Sequence, residues 1–294
     1  MRGCARSFLV GLALCGSGLP GCRGPAGEET ASPRDPRRQR VLDFWNHQNA
    51  ATAARIRRDC AEAARLYEEA LVLEPRHEDG LYYLGQCRRE MGQPDAARLA
   101  FERLVEVNPL SARGHLALGA LLASPDPSEP MDLAKAEQHL RRAHEINGEE
   151  TGPVVRLGEI ALVAARSEEA RRWFESALRT NPKSVEAAVL AGDLGWDEGR
   201  EPAPLLRRVR EAAKAEAPPK GVLSEGDRRD SQRTVAPPLS SPHGRLLFGE
   251  PVEVLRAQAA AGRPISDALV LEEWREVRRL RREHERRAAG DPRG

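Results

Sequence analysis

The chain has 294 residues, which is enough for one large domain or two ordinary ones. Its 46 basic and 45 acidic residues give a formal net charge of +1, which excludes an obvious binder of nucleic acid. Aromatic residues make up 4% of the chain, which argues against an aromatic-rich β-sandwich or a stacking surface for single strands. No apolar run approaches the roughly 20 residues of a membrane-spanning helix.

The first 21 residues have the pattern of a secretory signal. Two arginines precede an apolar stretch over residues 8–15, and three small residues follow at 16–18. Residues 19–22 read Leu-Pro-Gly-Cys and resemble the lipobox of bacterial lipoproteins. This resemblance implies that residues 1–21 are removed and that Cys22 becomes an acylated amino terminus carrying palmitate. An ordinary secretory signal and a misplaced start codon are the alternatives.

A disordered tether is predicted for residues 22–43, because this stretch is mostly Pro, Gly, Arg and Glu. With a lipid anchor, the chain is expected in the bacterial cell envelope, facing the periplasm. Arg23, directly after the cysteine, favours the outer membrane by analogy with enteric bacteria. Without the anchor, a soluble periplasmic or secreted protein is expected.

Two cysteines, Cys60 and Cys87, would remain beside Cys22 after processing. In an oxidising periplasm these two can form a disulfide, and the alternative is a pair of buried free thiols. No C-x-x-C motif occurs, so thioredoxin-like redox chemistry and c-type haem attachment have no support.

The middle of the chain repeats itself with a fixed period. Four sets of markers stay in register, and the copies are separated by 34, 39 and 34 residues. The sets are Ala63, Ala97, Ala136 and Ala170; Tyr67, Phe101, Leu140 and Phe174; Ala70, Leu104, Ala143 and Ala177; and Pro75, Pro109, Gly148 and Pro182. The five extra residues of the third copy lie in a turn-rich stretch at 124–130, so they lengthen a loop and leave both helices intact.

This period and residue set resemble the tetratricopeptide repeat. The resemblance implies an all-α fold, a right-handed α-solenoid of helix-turn-helix units over residues 44–217. Four copies are predicted at 44–77, 78–111, 112–150 and 151–184. A degenerate fifth unit at 185–217 is interpreted as a cap, because Pro202 and Pro204 stand where its second helix should start or run.

A linker is predicted at 218–250 and a helical tail at 251–290. Within the tail, Val270, Trp274, Val277 and Leu280 recur on one helical face. Two interpretations of this amphipathic helix stay open. It is either an arm that binds a partner helix, or a helix that docks back onto the repeats.

The sequence contains none of the common catalytic motifs: no P-loop, G-x-G-x-x-G, H-E-x-x-H or G-x-S-x-G. His139 and His144 are five residues apart on one predicted helix and therefore point to different faces, which makes a poor metal pair. His115 is expected to have a packing role. We therefore expect a protein that is not an enzyme, with no cofactor, no metal and no small-molecule substrate.

In tetratricopeptide arrays the first helix of each unit lines a concave groove that holds a partner peptide or helix. The groove positions of the family fall in this chain on Trp45, Gln48, Thr52 and Arg55 in the first copy, on Asp79, Tyr82, Gln86, Arg89 and Glu90 in the second, on Arg113, Leu116, Ala120 and Ala123 in the third, and on Val155, Glu159, Leu162 and Val163 in the fourth. Eight of these are predicted to bind the partner. They are Tyr82, Gln86 and Arg89 in the second copy, Leu116 and Ala120 in the third, and Val155, Glu159 and Leu162 in the fourth. The series turns more apolar along the array, which favours an amphipathic partner. The alternative is that part of the groove is covered by the chain's own 218–290 segment.

Two functions of different class follow. The first is a lipid-anchored adaptor that scaffolds an envelope assembly by binding a protein partner. The second is a docking or helper subunit of an exported enzyme. A third, much less favoured, is an enzyme whose motif is not recognised.

Overall fold

The computed structural model describes residues 35–124, 131–216 and 247–289. The chain divides into two compact units, residues 1–39 and residues 40–294. Of the first unit only residues 35–39, the start of the first helix, are described. The predicted signal peptide, Cys22 and most of the predicted tether and linker lie outside the described residues.

The described residues form twelve α-helices and no strand. The helices are α1 (Pro36–Ile56), α2 (Cys60–Leu73), α3 (Glu78–Glu90), α4 (Pro94–Val107), α5 (Ala112–Leu122), α6 (Leu133–Ile146), α7 (Thr151–Val163), α8 (Ser167–Thr180), α9 (Val185–Asp197), α10 (Pro202–Glu216), α11 (Gly249–Ala260) and α12 (Asp267–Ala288). Each helix up to α10 packs against its neighbours in the chain, as α3 does on α2 and α4. The predicted all-α solenoid of helix pairs is therefore confirmed.

Capping residues set the start of several helices. Ser111, Asp132 and Ser184 each accept a hydrogen bond from a backbone N–H in the first turn, as short polar side chains at a helix start commonly do. Helix α8 lacks such a bond, because Arg166 occupies its cap position and Ser167 is its first residue. Among the described residues, no helix has both the length and the apolar character needed to cross a membrane.

Glycines allow the two helices of a unit to approach closely. A methyl group built on Gly85 would overlap the ring of Phe101, and one built on Gly158 would overlap Phe174. Phe101 and Phe174 are fully buried, so these rings have little room to move. The repeat markers therefore meet in pairs, a glycine on the first helix and a large residue on the second.

We expect Gly85→Ala to destabilise the protein by about 1–3 kcal/mol, because the added methyl group overpacks a closed contact. Equilibrium unfolding in urea measures this effect. Gly148→Ala is the matched control, since the nearest atom to its methyl group is a backbone oxygen at 3.7 Å. Equal stability of Gly85→Ala and the parent chain would contradict the packing argument.

Two domain boundaries need correction. The predicted tether, residues 22–43, extends too far, because helix α1 already begins at Pro36. Proline suits this first helical position, since its φ is fixed near the helical value and its missing N–H would have no partner there. Arg40 within this helix donates hydrogen bonds to the carbonyl oxygen of Leu73. The fifth unit is a complete helix pair, since Pro202 and Pro204 both fall in the first turn of α10, where proline is tolerated.

The C-terminal segment, residues 247–289, docks onto the last repeats. Helix α12 packs against α7, α9, α10 and α11. Its Trp274 is fully buried and contacts Gly192 so closely that a methyl group there would lie 2.5 Å from the indole ring. Arg278 of α12 forms an ion pair of 2.9 Å with the buried Asp193 of α9. Of the two interpretations of the tail, the structure supports docking, and this segment caps the array in place of the fifth unit.

Candidate partner-binding surface

The structure divides the eight predicted groove residues into three groups by their surroundings. The α3 group stays half-buried, the α5 group enters the core, and the α7 group is covered by the C-terminal segment. The difference between the groups follows from what packs on each helix.

The α3 group forms one polar and aromatic cluster. Arg89 donates a hydrogen bond of 2.6 Å to Gln86, and the guanidinium of Arg113 lies 4.9 Å from the centre of the Tyr82 ring. Burial raises the pKa of the Tyr82 hydroxyl, although Gln86 and the nearby arginines lower it in part. These residues are brought together as predicted, because positions 82, 86 and 89 share one face of a helix.

Two arginines on different repeats, Arg89 of α3 and Arg156 of α7, have lowered pKa values. Burial lowers the pKa of Arg89, and burial together with the positive charge of Arg89 lowers the pKa of Arg156. Arg156 is 1% exposed, and this residue was not among the predicted groove positions. The positive charge of Arg89 therefore acts on an arginine of a different repeat, and the carboxyl group of Glu159 beside Arg156 opposes its effect on the pKa.

The α5 group does not belong to an open surface, which corrects the prediction. Leu116 lies in a core cluster with Leu140 and Leu157, because α5 packs against both α6 and α7. Ala120 is 4% exposed. A partner therefore has almost no side-chain surface of these two residues to contact.

The α7 group is also corrected. Val155 and Leu162 belong to the core cluster that contains Leu247 and Phe248, and Glu159 is 1% exposed. The chain's own segment covers these three positions. Sequence reasoning placed Leu247 and Phe248 in a polar linker, although the apolar run at 246–248 within that stretch was a usable signal.

Polar contacts fix this covering segment. The backbone N–H of Phe248 donates to Glu159 Oε1 at 3.3 Å, and His284 Nε2 donates to the carbonyl oxygen of Leu247 at 2.7 Å. Burial raises the pKa of Glu159 to about 7, despite the opposing effects of Arg156 and the backbone N–H groups of Phe248 and Leu247. A carboxyl group that ionises near neutral pH therefore lies beneath the segment.

The two cysteines face one another but are free thiols. Cys60 Sγ donates a hydrogen bond of 2.9 Å to Glu90 Oε2. Burial, the Glu90 carboxylate and Cys87 raise the pKa of the Cys60 thiol to about 12. The structure contains the free-thiol alternative of the sequence analysis, and the disulfide stays a prediction.

We expect both thiols to react slowly with iodoacetamide in the folded protein. A thiol with a pKa near 12 contains far less thiolate at pH 8 than an ordinary cysteine, so alkylation of Cys60 should be slower by roughly a hundredfold or more. Mass spectrometry of the timed reaction measures this rate, and the same reaction in urea is the control. Equally fast labelling in both conditions would contradict the burial of these thiols.

Within the described ranges, no group of three or more His, Cys, Asp and Glu side chains is placed to hold a metal ion. His139 contacts His115 rather than His144, and the two Nδ1 atoms lie 3.0 Å apart. Burial lowers the pKa of both His115 and His139, so each is held in its neutral form. This arrangement is a hydrogen bond between the two helices of the third repeat, in keeping with the packing role expected for His115.

Comparisons with known proteins identify the repeats. Residues 54–121 and residues 155–217 match tetratricopeptide repeat family models. The second match includes the fifth helix pair, in agreement with the structure. A search of curated proteins finds no significant match.

Solved structures of low sequence identity share the fold. A crystal structure of MamA protein aligns with a TM-score of 0.52 at 19% identity, over 63% of this chain and 99% of that chain. MamA from Desulfovibrio magneticus gives 0.52 at 16% identity, over 59% and 97%. The pilF protein of Pseudomonas aeruginosa gives 0.50 at 16% identity, over 82% and 99%. At these identities the likeness concerns the fold alone.

Stacked helix pairs of this kind define an interaction scaffold, the class of protein that binds other proteins. The family matches and the fold together show that this chain is a tetratricopeptide repeat protein.

Proposed function

We propose that this protein is a non-catalytic scaffold, anchored by lipid in the bacterial envelope, that binds a peptide or helix of a protein partner beside α3. The binding residues are Tyr82, Gln86 and Arg89, with Arg113 of α5 at their edge. Of the eight candidate groove positions, Tyr82, Gln86 and Arg89 are the least covered, because Leu116 and Ala120 of α5 and all three candidate positions of α7 are buried.

One observation carries the proposal. The chain's own Phe248 already binds at α7 as a groove ligand would, with a buried apolar side chain and a backbone N–H bonded to Glu159. A partner is expected to combine an apolar and a polar contact at α3 as well, with the direction of the hydrogen bond reversed because the cluster offers donors. Its apolar side chain would contact the Tyr82 ring, and its carboxylate or amide oxygens would accept hydrogen bonds from Arg89 and Arg113.

The anchor rests on the sequence pattern alone. Cys22 follows a signal-like stretch and precedes α1 by 14 residues, counted from Cys22 to Pro36. Acylation there would hold the repeats close to the periplasmic face of a membrane. Two acyl chains or more are needed for durable attachment, so the proposal concerns a lipoprotein-type terminus.

Affinity capture from envelope membranes tests both parts. The parent chain and an Arg172→Ala control, which removes an exposed arginine of α8, should recover the same partner proteins. Tyr82→Ala/Arg89→Ala should lose them by at least about tenfold, in line with the removal of two central contacts. Equal recovery by the double variant would exclude α3 as the binding surface.

The anchor has its own readout. The parent chain should incorporate labelled palmitate and fractionate with membranes, whereas Cys22→Ser should do neither. Absence of label in the parent chain, or equal labelling of the parent and Cys22→Ser, would exclude lipidation at Cys22, and it would leave the result for α3 unaffected.

A further inference from the structure

Helix α1 has a second apolar face that points away from the core. Its inner face packs Ala51 and Ala54 against α2 and α3. On the opposite side, five exposed residues follow one another at spacings of three and four, which places them in one stripe. This outer stripe consists of Leu42, Trp45, Asn49, Ala53 and Ile56, and its three large side chains are 49%, 49% and 71% exposed.

The outer stripe occupies the positions through which later repeats stack. One period of 34 residues relates Asn49 to Tyr83 and Ala53 to Cys87. Tyr83 stacks on Tyr67 of the preceding helix, and Cys87 faces Cys60 of the same helix. In the second repeat these two positions therefore contact the preceding helix, α2. In the described part of the chain no helix precedes α1, so the corresponding positions of the first repeat, Asn49 and Ala53, are exposed.

We propose that the outer stripe packs against the outer stripe of a second copy of this chain, antiparallel, around a twofold axis near Asn49. This arrangement sets Trp45 against the small Ala53 of the second copy, and Leu42 against Ile56. Large residues thus meet small ones, which fills the interface without voids. A parallel arrangement would oppose Trp45 to Trp45 and leave a gap between the two Ala53 residues.

Polar residues agree with the same geometry. Asn49 meets Asn49 of the second copy at the axis, where each amide group can both donate and accept a hydrogen bond. A single asparagine in an apolar helix seam is a known means of fixing register at some cost in stability. Asp43 and Arg57 lie on one side of the stripe near its two ends, so an antiparallel pair places Asp43 of each copy near Arg57 of the other, whereas a parallel pair places the two copies of each residue on opposite sides of the seam.

A membrane surface fits the outer stripe less well. Asn49 and Ala53 occupy its middle, and neither residue gains much from insertion among lipid chains. Two helices, in contrast, can approach closely where their side chains are small. The stripe from Leu42 to Ile56 is about 21 Å long at 1.5 Å per residue, so the interface is small and the dimer should dissociate in the micromolar range.

Sedimentation velocity on the full chain carrying Cys22→Ser, which removes any acyl group, tests the proposal. Between about 1 and 100 µM this protein should shift from monomer to dimer. Trp45→Glu and Ile56→Glu should each remain monomeric over that range, with unchanged helical content. Val72→Glu is the control, because it places the same charge on a residue of α2 that is 76% exposed. It should dimerise like the parent.

Cysteine cross-linking tests the orientation. Asn49→Cys should give a covalent dimer under mild oxidation, since this position meets itself at the axis. Leu42→Cys should not, because it faces Ile56 of the second copy. Reaction of Leu42→Cys would overturn the antiparallel arrangement. Monomers at all concentrations, or binding to anionic vesicles that Trp45→Glu abolishes, would overturn the dimer and assign the stripe to another occupant.

Discussion

Replacing Trp274 by alanine is expected to destabilise the protein by about 3–5 kcal/mol, the cost of removing a fully buried large side chain and leaving a cavity. Trp274 is 0% exposed and lies between Gly192 and Trp196, whose ring centre is 5.6 Å away. Because this residue joins α12 to α9, its loss should free the C-terminal segment before the repeats themselves unfold.

Two measurements check this expectation. Urea unfolding followed by circular dichroism gives the stability, and limited proteolysis shows whether residues 247–289 become accessible first. Leu110→Ala is the control, because Leu110 is 63% exposed and its truncation should cost little. If Trp274→Ala unfolds like the parent and resists protease equally, the docked tail contributes far less than its burial indicates.

The contacts within each repeat could be predicted from sequence because their partners lie at a fixed separation. Gly85 meets Phe101 sixteen residues later, and Gly158 meets Phe174 at the same separation. A glycine followed at constant spacing by a large apolar residue needs only two helices and one turn to form the contact. Period and composition therefore determine this part of the fold.

The docking of the tail could not be predicted in the same way. Val270, Trp274, Val277 and Leu280 indicate an apolar helix face, but a helical pattern does not say which surface covers it. The partner, Gly192 of α9, lies more than eighty residues earlier in the chain. Contacts at such distances depend on the tertiary arrangement, which no local pattern contains.

The same reason explains the outcome for the candidate site. Family positions correctly placed Tyr82, Gln86 and Arg89 together, because they depend on the geometry of a single helix. They failed for Val155 and Leu162, which are apolar enough to form either a groove or a core. These residues form a core because Phe248 packs in the same cluster, and Phe248 lies in a stretch without any repeat pattern.

The second large effect is expected for Glu159, whose contribution to the stability of the fold depends on pH. Burial raises the pKa of this carboxyl group from an ordinary 4.5 to about 7. An acid with a raised pKa holds its proton more tightly in the folded state than in the unfolded state. The tighter binding of this proton therefore stabilises the folded protein fully below pH 4.5. The stabilisation is lost progressively as the pH rises from 4.5 to about 7, by about 3 kcal/mol in total.

Glu159→Gln should remove this dependence, because the amide is neutral at every pH and its oxygen can still accept the hydrogen bond from Phe248. We expect the variant to match the parent near pH 4 and to exceed its stability by up to about 3 kcal/mol above pH 7. Urea unfolding at several pH values measures the difference. Burial also raises the pKa of Asp193 to about 6, but this residue is present in both proteins, so its effect cancels.

Glu145→Gln, a change at an exposed carboxylate, controls for the altered net charge of the protein. A result in the opposite direction is equally informative. If Glu159→Gln is less stable than the parent above pH 7, the ionised carboxylate gains more from the guanidinium of Arg156 than it loses by burial. Residues 247–289 would then cover a buried ion pair and not a protonated acid. A rise in pH would in that case not reduce the stability of their docking.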